Sequence, residues 1–258
     1  MFSEYIYKSR ILSNFINDII NVNRNPEDLR ALELLKDKKT NPHFVLNEND
    51  LLYRARIVTD TKLLNTEENY YGYNSKESFV APSNKTSDMR ANYKNIPYLY
   101  ASNNPYISLV EVRPRFGSQV SIATIRVKNP IEILDFTSRN IPKAMTNTKK
   151  NLFSDLSHMF SKPITRDDDV IEYIPTQFIA EYAKKLGYDG IAYGSSLVEE
   201  EYAKSLSRYN IVVFNYSECE PIKSNLFVVD SITYECIQDD SDTKPVSVQS
   251  HLSEISCF

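Results

Sequence analysis

Residues 173–196 read YIPTQFIAEYAKKLGYDGIAYGSS: one helix, one turn, and one short strand ending in a pair of hydroxyls. Pro175 suits the first turn of a helix, where its missing N–H costs nothing. Phe178, Ile179, Tyr182, Ala183 and Leu186 recur at helical spacing and give the helix one apolar face. Lys184 and Lys185 fit the negative end of the helix dipole, and Gly187 can adopt the left-handed conformation that stops it. After the Tyr188-Asp189-Gly190 turn, Ile191-Ala192-Tyr193 predicts a buried strand, and Gly194 releases Ser195 and Ser196 at its end. Working side chains are often mounted where strands run into loops. The same block also reads as an ordinary helix–strand unit with a polar turn behind it, and local physics alone does not decide.

Composition narrows the classes. The chain has 258 residues, 41% of them hydrophobic and 25% charged, as expected for a globular protein of one large domain or of one domain with a small extension. Thirty basic against 34 acidic residues give a net charge of −4, which offers no electrostatic case for nucleic acid. Cys219, Cys236 and Cys257 are widely spaced and contain no CxxC pair, so free thiols and a reducing compartment are expected. His43, His158 and His251 are equally scattered, and no metal site is expected. No apolar run reaches membrane-spanning length, and MFSEYIYKSR has no signal-peptide core, so the expected location is the cytoplasm.

Taken from its start, the chain predicts helices over residues 1–40, with Ile11, Leu12, Phe15, Ile16, Ile19 and Ile20 as one stripe. Pro26 is read as opening a second helix that carries Leu29, Leu32, Leu34 and Leu35. These helices either pack on the main domain or hold a partner. Leu51–Val58 reads as a strand with Arg54 and Arg56 on one face. Two arginines there mean either an edge strand in solvent or a surface for phosphate or carboxylate. Residues 65–95 predict a long polar loop in which Tyr70, Tyr71 and Tyr73 are candidates to stack on a ligand. A strand is expected over Ile96–Ala101, then a helix from Asn104-Pro105 to Val112, apolar around most of its girth except for Glu111. A lone acid in a buried helix must be paired, neutralised or aimed into a cavity. Arg113 is one candidate partner, and a site-facing carboxylate is the other reading.

Further strands are expected over Val120–Val127, Ile131–Phe136, Asn210–Phe214 and Leu226–Ile237, with a short helix over Asn151–Phe160. Thr165–Asp169 reads as a solvated acidic loop, Glu199–Tyr209 as a loop or partial helix, and the chain beyond Gln238 as a frayed tail.

Four segments, in order, resemble the RES domain family, named for an arginine, a glutamate and a serine. They are LYRAR with Arg54, MRANYKNIPYLYAS with Arg90 and Tyr100, LVEVRP with Glu111, and the opening block with Ser195 and Ser196, followed by NIVVF. Met89 and Gly194 depart from the family's usual glycine and proline. The resemblance implies an α+β fold like the ADP-ribosyltransferases: a mixed core of two small sheets with a cleft between them. On this reading residues 1–45 form an N-terminal helical extension, 46–237 the NAD-cleaving domain and 238–258 a flexible tail. It implies a toxin that depletes NAD by cleaving the nicotinamide–ribose bond, an NAD phosphorylase or glycohydrolase with inorganic phosphate or water as acceptor. NAD is then substrate, and no cofactor or metal is expected. Glu111, Arg54 and Arg90 are the expected catalytic residues. Tyr100, Ser195, Ser196 and Arg56 are the expected substrate contacts, with Ser195 favoured over Ser196. A helix-turn-helix antitoxin and a homodimer are expected by analogy, without direct nucleic-acid or membrane contact. The alternatives are a transferase that places ADP-ribose on a macromolecule, and a non-catalytic module that binds NAD or an antitoxin.

Overall fold

The structure, a computed structural model, describes residues 5–162, 170–197 and 208–233. The readings of Thr165–Asp169, of the tail, and of most of Glu199–Tyr209 lie outside these residues. Eight strands form one sheet. They are β1 (His43–Leu46), β2 (Leu51–Ile57), β3 (Leu99–Ser102), β4 (Gln119–Val127), β5 (Ile131–Asp135), β6 (Gly190–Tyr193), β7 (Asn210–Val213) and β8 (Cys219–Val228). Their spatial order is β1-β5-β6-β7-β3-β2-β4-β8, with β5 and β6 parallel and every other pair antiparallel.

The expectation of two separate small sheets needs one correction. Strands β2 and β3 pair through a single couple, Tyr53 with Ser102, so the two halves join into one sheet along a thin seam. Elsewhere the ladders are longer, with four pairs between β3 and β7 and seven between β2 and β4. Antiparallel strands that share one couple must splay beyond it, and the seam is where the sheet opens.

Helices cover one face: α1 (Arg10–Asn17), α2 (Arg30–Lys36), α5 (Asn147–Ser161) and α6 (Ile174–Lys185). Leu12, Phe15, Leu32 and Leu35 bury with Phe153, Phe160, Ile179, Leu134, Ile191 and Val212 in a single cluster. The N-terminal helices therefore share the core of the main sheet. The opposite face buries Leu99, Ile133, Ala192, Ile211 and Val213. Burial on both faces explains why these strands read as continuous apolar runs rather than alternating ones.

A buried carboxylate fixes the chain's start to α5. Asp155 accepts from Ser9 N at 2.7 Å, Lys8 N at 3.2 Å and the Tyr5 hydroxyl at 2.7 Å. Ser9 in turn caps α1 through its side chain. The opening block folds as its residues dictate: Pro175 stands in the first turn of α6, and Gly187 lies at φ 85° just past its end.

Boundaries moved where tertiary contacts decide. Helix α2 begins at Arg30 rather than at Pro26, because Asp28 accepts from Arg30 N and holds the preceding turn. Helix α5 starts at Asn147, four residues before the expected start, with Thr146 accepting from Lys149 N. Strand β8 begins at Cys219 rather than Leu226. The tyrosine-rich loop lies along its outer side, with Tyr71 N donating to Ser224 O and the Tyr70 hydroxyl to Pro221 O. Tyr70 and Tyr73 are buried there, which removes them as ligand-stacking candidates, and only Tyr71 is exposed. Gly72 is needed for this packing, since a Cβ would stand 2.2 Å from Ser121 Oγ. Among the described residues no helix is long and apolar enough to cross a membrane.

Asp155→Ala should lower the stability of the whole domain by about 3 kcal/mol, because it strands the buried Ser9 N–H and removes the acceptor of the half-buried Lys8 N–H and Tyr5 hydroxyl. Chemical denaturation checks this. A variant whose main transition is unmoved would make the N-terminal helices an independent appendage.

Candidate active site

A cavity of about 390 Å³ opens at the seam. Its walls are Tyr53 and Arg54 of β2, Tyr100 of β3, Arg90 of the preceding loop, the end of α5, and Tyr193, Ser196 and Asn210 around β6 and β7. Helix α4 (Pro105–Glu111) closes one side. Its start is specified locally: Asn104 Oδ1 accepts from Tyr106 N at 2.9 Å and Pro105 follows as the first residue. Only Ile107 and Ser108 are buried in it, so the expectation of a buried helix, apolar around most of its girth, is corrected. The seven-residue helix covers one face only, with Leu109 and, just past its end, Val112 partly packed against Ala55, Val120 and Ile122. Glu111, the last helical residue, faces the cavity.

Glu111 gathers groups that are far apart in sequence. Ser195 Oγ donates to its Oε1 at 2.6 Å, and Asn210 Nδ2 donates to the same oxygen at 2.6 Å. None of the salt bridges among the described residues involves this carboxylate. Ser196 lines the cavity, whereas the Ser195 hydroxyl is occupied by Glu111 and Leu197 N.

The arginines divide. Arg54 keeps contact with the cavity, but its Nη1 is shut away without a hydrogen-bond partner. Burial lowers its guanidinium to about 10, the nearby Arg56 charge adds to this, and Glu77 opposes it. At neutral pH the group is still a cation, held in a place that suits one only when an anion is present. Arg56 lies outside the cavity wall, in an ion pair with Glu77 at 3.0 Å and over the Tyr73 ring at 5.0 Å. Glu77 accounts for its position, since a carboxylate in reach takes the guanidinium.

Arg90 lines the cavity yet spends its donors on main-chain carbonyls. It bonds Met159 O at 3.2 Å, Phe160 O and Lys162 O, and so sits as a cation on the C-terminal end of α5. Its loop is fixed further by Gln177 of α6, which donates to Met89 O and Asn92 O. The Tyr100 hydroxyl belongs to the same knot, donating to Asn92 Oδ1 at 2.7 Å and accepting from Ala91 N. Burial pushes the Tyr100 phenol far above its usual range. Tyr193 is raised as well, first by burial and then by the Glu111 carboxylate, with Arg90 opposing. Gly194 does not require glycine, since a Cβ there would meet only Ser161 Oγ at 3.5 Å.

The structure thus brings together Arg54, Arg90, Tyr100, Glu111 and Ser196 around one cavity, with Ser195 hydrogen-bonded to the acid, and leaves Arg56 aside. Sequence reasoning missed Asn210 and Tyr193. Both stood in quoted segments, and neither carries a local oddity to betray it. Chemically, the cavity offers a guanidinium whose Nη1 has no hydrogen-bond partner among the described residues and a carboxylate held by two donors, a pair suited to a ligand that is anionic at one end and develops positive charge at the other.

No curated protein sequence matches the chain. Among solved structures, one chain of the M. tuberculosis MbcT–MbcA toxin-antitoxin complex resembles it over 77% of this chain and 92% of that one, at 12% identity and a TM-score of 0.41. Residues 56–230 match the RES domain family, a span that takes in Arg90, Tyr100, Glu111, Ser195 and Ser196 and begins two residues after Arg54. With well over half of its length matched, the chain belongs to the RES domain family.

Proposed function

We propose that the seam cavity binds NAD and cleaves its nicotinamide–ribose bond, with phosphate or water as acceptor. The observation that carries this reading is the buried Nη1 of Arg54, without a hydrogen-bond partner among the described residues, in the same cavity as Glu111, whose Oε1 is held by Ser195 and Asn210. A dinucleotide supplies what each lacks. Its pyrophosphate gives Arg54 the anion it needs, through a charge-assisted hydrogen bond. Its nicotinamide ribose gives Glu111 a centre where positive charge develops as the bond breaks. In that step the C1′–N bond breaks with its electron pair going to the ring nitrogen, and nicotinamide leaves neutral. An oxygen of phosphate or water bonds to C1′, and water's proton passes to solvent. On this reading Ser196 and Tyr100, which line the cavity, contact the ribose and nicotinamide, while Arg90 holds the cavity wall through α5.

The family membership extends the reading to a cytoplasmic toxin that depletes NAD and is restrained by a helix-turn-helix antitoxin, as a monomer or homodimer. No observation favours a transferase acting on a macromolecule over this.

Purified protein incubated with NAD should release nicotinamide, and Glu111→Gln should lower kcat by about a hundredfold, the scale of losing one electrostatic stabiliser. ADP-ribose 1″-phosphate as product marks phosphorolysis and free ADP-ribose marks hydrolysis. Intact NAD with and without phosphate contradicts the proposal, and label appearing on protein or nucleic acid supports the transferase instead.

The buried guanidinium of Arg54 makes a second prediction. Its value in the folded state lies below the unfolded one, so the burial penalty is fully present at neutral pH and eases only as pH rises past about 10. Arg54→Met should therefore melt at the same or a higher temperature without ligand, yet lose the thermal shift that pyrophosphate gives the wild type. A large drop in melting temperature would make Arg54 a structural residue.

A further inference from the structure

Two donors converge on one oxygen of Glu111 from unlike settings. Ser195 lies on the chain beyond β6 and its bond is open to solvent. Asn210 is the first residue of β7 and is buried. Its backbone is held on both sides, opposite Tyr193 of β6 and Ser102 of β3. A carboxylate only accepts, so the amide must present Nδ2, and its orientation follows from that. With Oε1 doubly bound, Oε2 makes no hydrogen bond among the described residues and is the oxygen left for the cavity.

We infer that Asn210 is a positioning residue that fixes Glu111 so that Oε2 meets the reacting ribose, an inference that rests on the NAD-cleaving reading of this cavity. A side chain at the end of a short helix keeps several rotamers unless something holds it. A donor from the middle of the sheet holds it better than one from a loop. A merely structural tie is less needed, because α4 is already capped by Asn104 and packed through Ile107, Leu109 and Val112.

The test is NAD cleavage by the full chain carrying Asn210→Ala or Asn210→Asp, read as nicotinamide release against pH, with melting curves alongside. Asn210→Ala should lower kcat at least about tenfold while KM stays within about threefold, the pattern of an interaction realised in the transition state. Asn210→Asp is nearly isosteric and sets a second carboxyl against Glu111. Like charges this close keep one proton between them, and while it remains the new acid donates as the amide did. Activity should then approach wild type at low pH and fall as pH rises, a fall the wild type lacks. The other groups around the cavity are the same in both proteins: Tyr53 and Arg54 from β2, Arg90 and Tyr100 around β3, Arg113 after α4, Lys162 and Tyr173 after α5, and Tyr193 from β6.

An unchanged kcat in Asn210→Ala, or a wild-type pH profile in Asn210→Asp, overturns the assignment. So does loss of the folded transition in both variants, which would make Asn210 a structural tie. Wild-type protein that releases no nicotinamide sinks the NAD reading itself, before either variant is compared.

Discussion

Strands β2 and β3 touch through one residue couple, Tyr53 with Ser102, and the candidate site depends on how little they share. Full pairing between them would close the sheet and bury Tyr53, Arg54, Tyr100 and Ala101 against one another. Splayed, they leave a hollow lined by backbone already fixed on the far sides, by β4 behind β2 and by β7 behind β3. The chain then dresses that hollow from four directions: α4 brings Glu111, the end of α5 is gripped by Arg90, β6 brings Tyr193, and β7 brings Asn210.

The division between Arg54 and Arg56 shows how charge is allotted around it. They stand on one strand two residues apart, and sequence gives no reason to separate them. Glu77, from the short helix α3 (Ser75–Ser78) on the loop beside β8, neutralises Arg56. Among the described residues no side chain hydrogen-bonds Arg54 Nη1 and only the more distant Glu77 charge favours its cation, so its burial carries a cost that an anionic ligand would relieve. Functional sites commonly hold such destabilising features. Arg90 is a third case, since its charge is spent on helix carbonyls and it shapes the wall through them.

What the sequence made legible follows the range of each signal. The block from Tyr173 to Ser196 was readable because Pro175, the apolar stripe and Gly187 act within a few residues. Glu111 and Arg54 were readable as anomalies, an acid in an apolar helix and a cation on a strand. Strand β1 was missed because four residues after a proline carry too little pattern, and the start of β8 because Glu220, Pro221 and Lys223 break its alternation at the edge of the sheet. Asn210 was illegible for a different reason: an asparagine opening a strand is unremarkable until the fold sets its amide against Glu111. The seam was equally hidden, since strand pairing across 49 residues, from Tyr53 to Ser102, leaves no local mark.

The most direct measurement is a crystal structure of the Glu111→Gln protein soaked with NAD. The account predicts a pyrophosphate oxygen about 3 Å from Arg54 Nη1 and the nicotinamide ribose beside residue 111. A dinucleotide bound away from the seam, or a seam that stays empty while Arg54 keeps to itself, would contradict it.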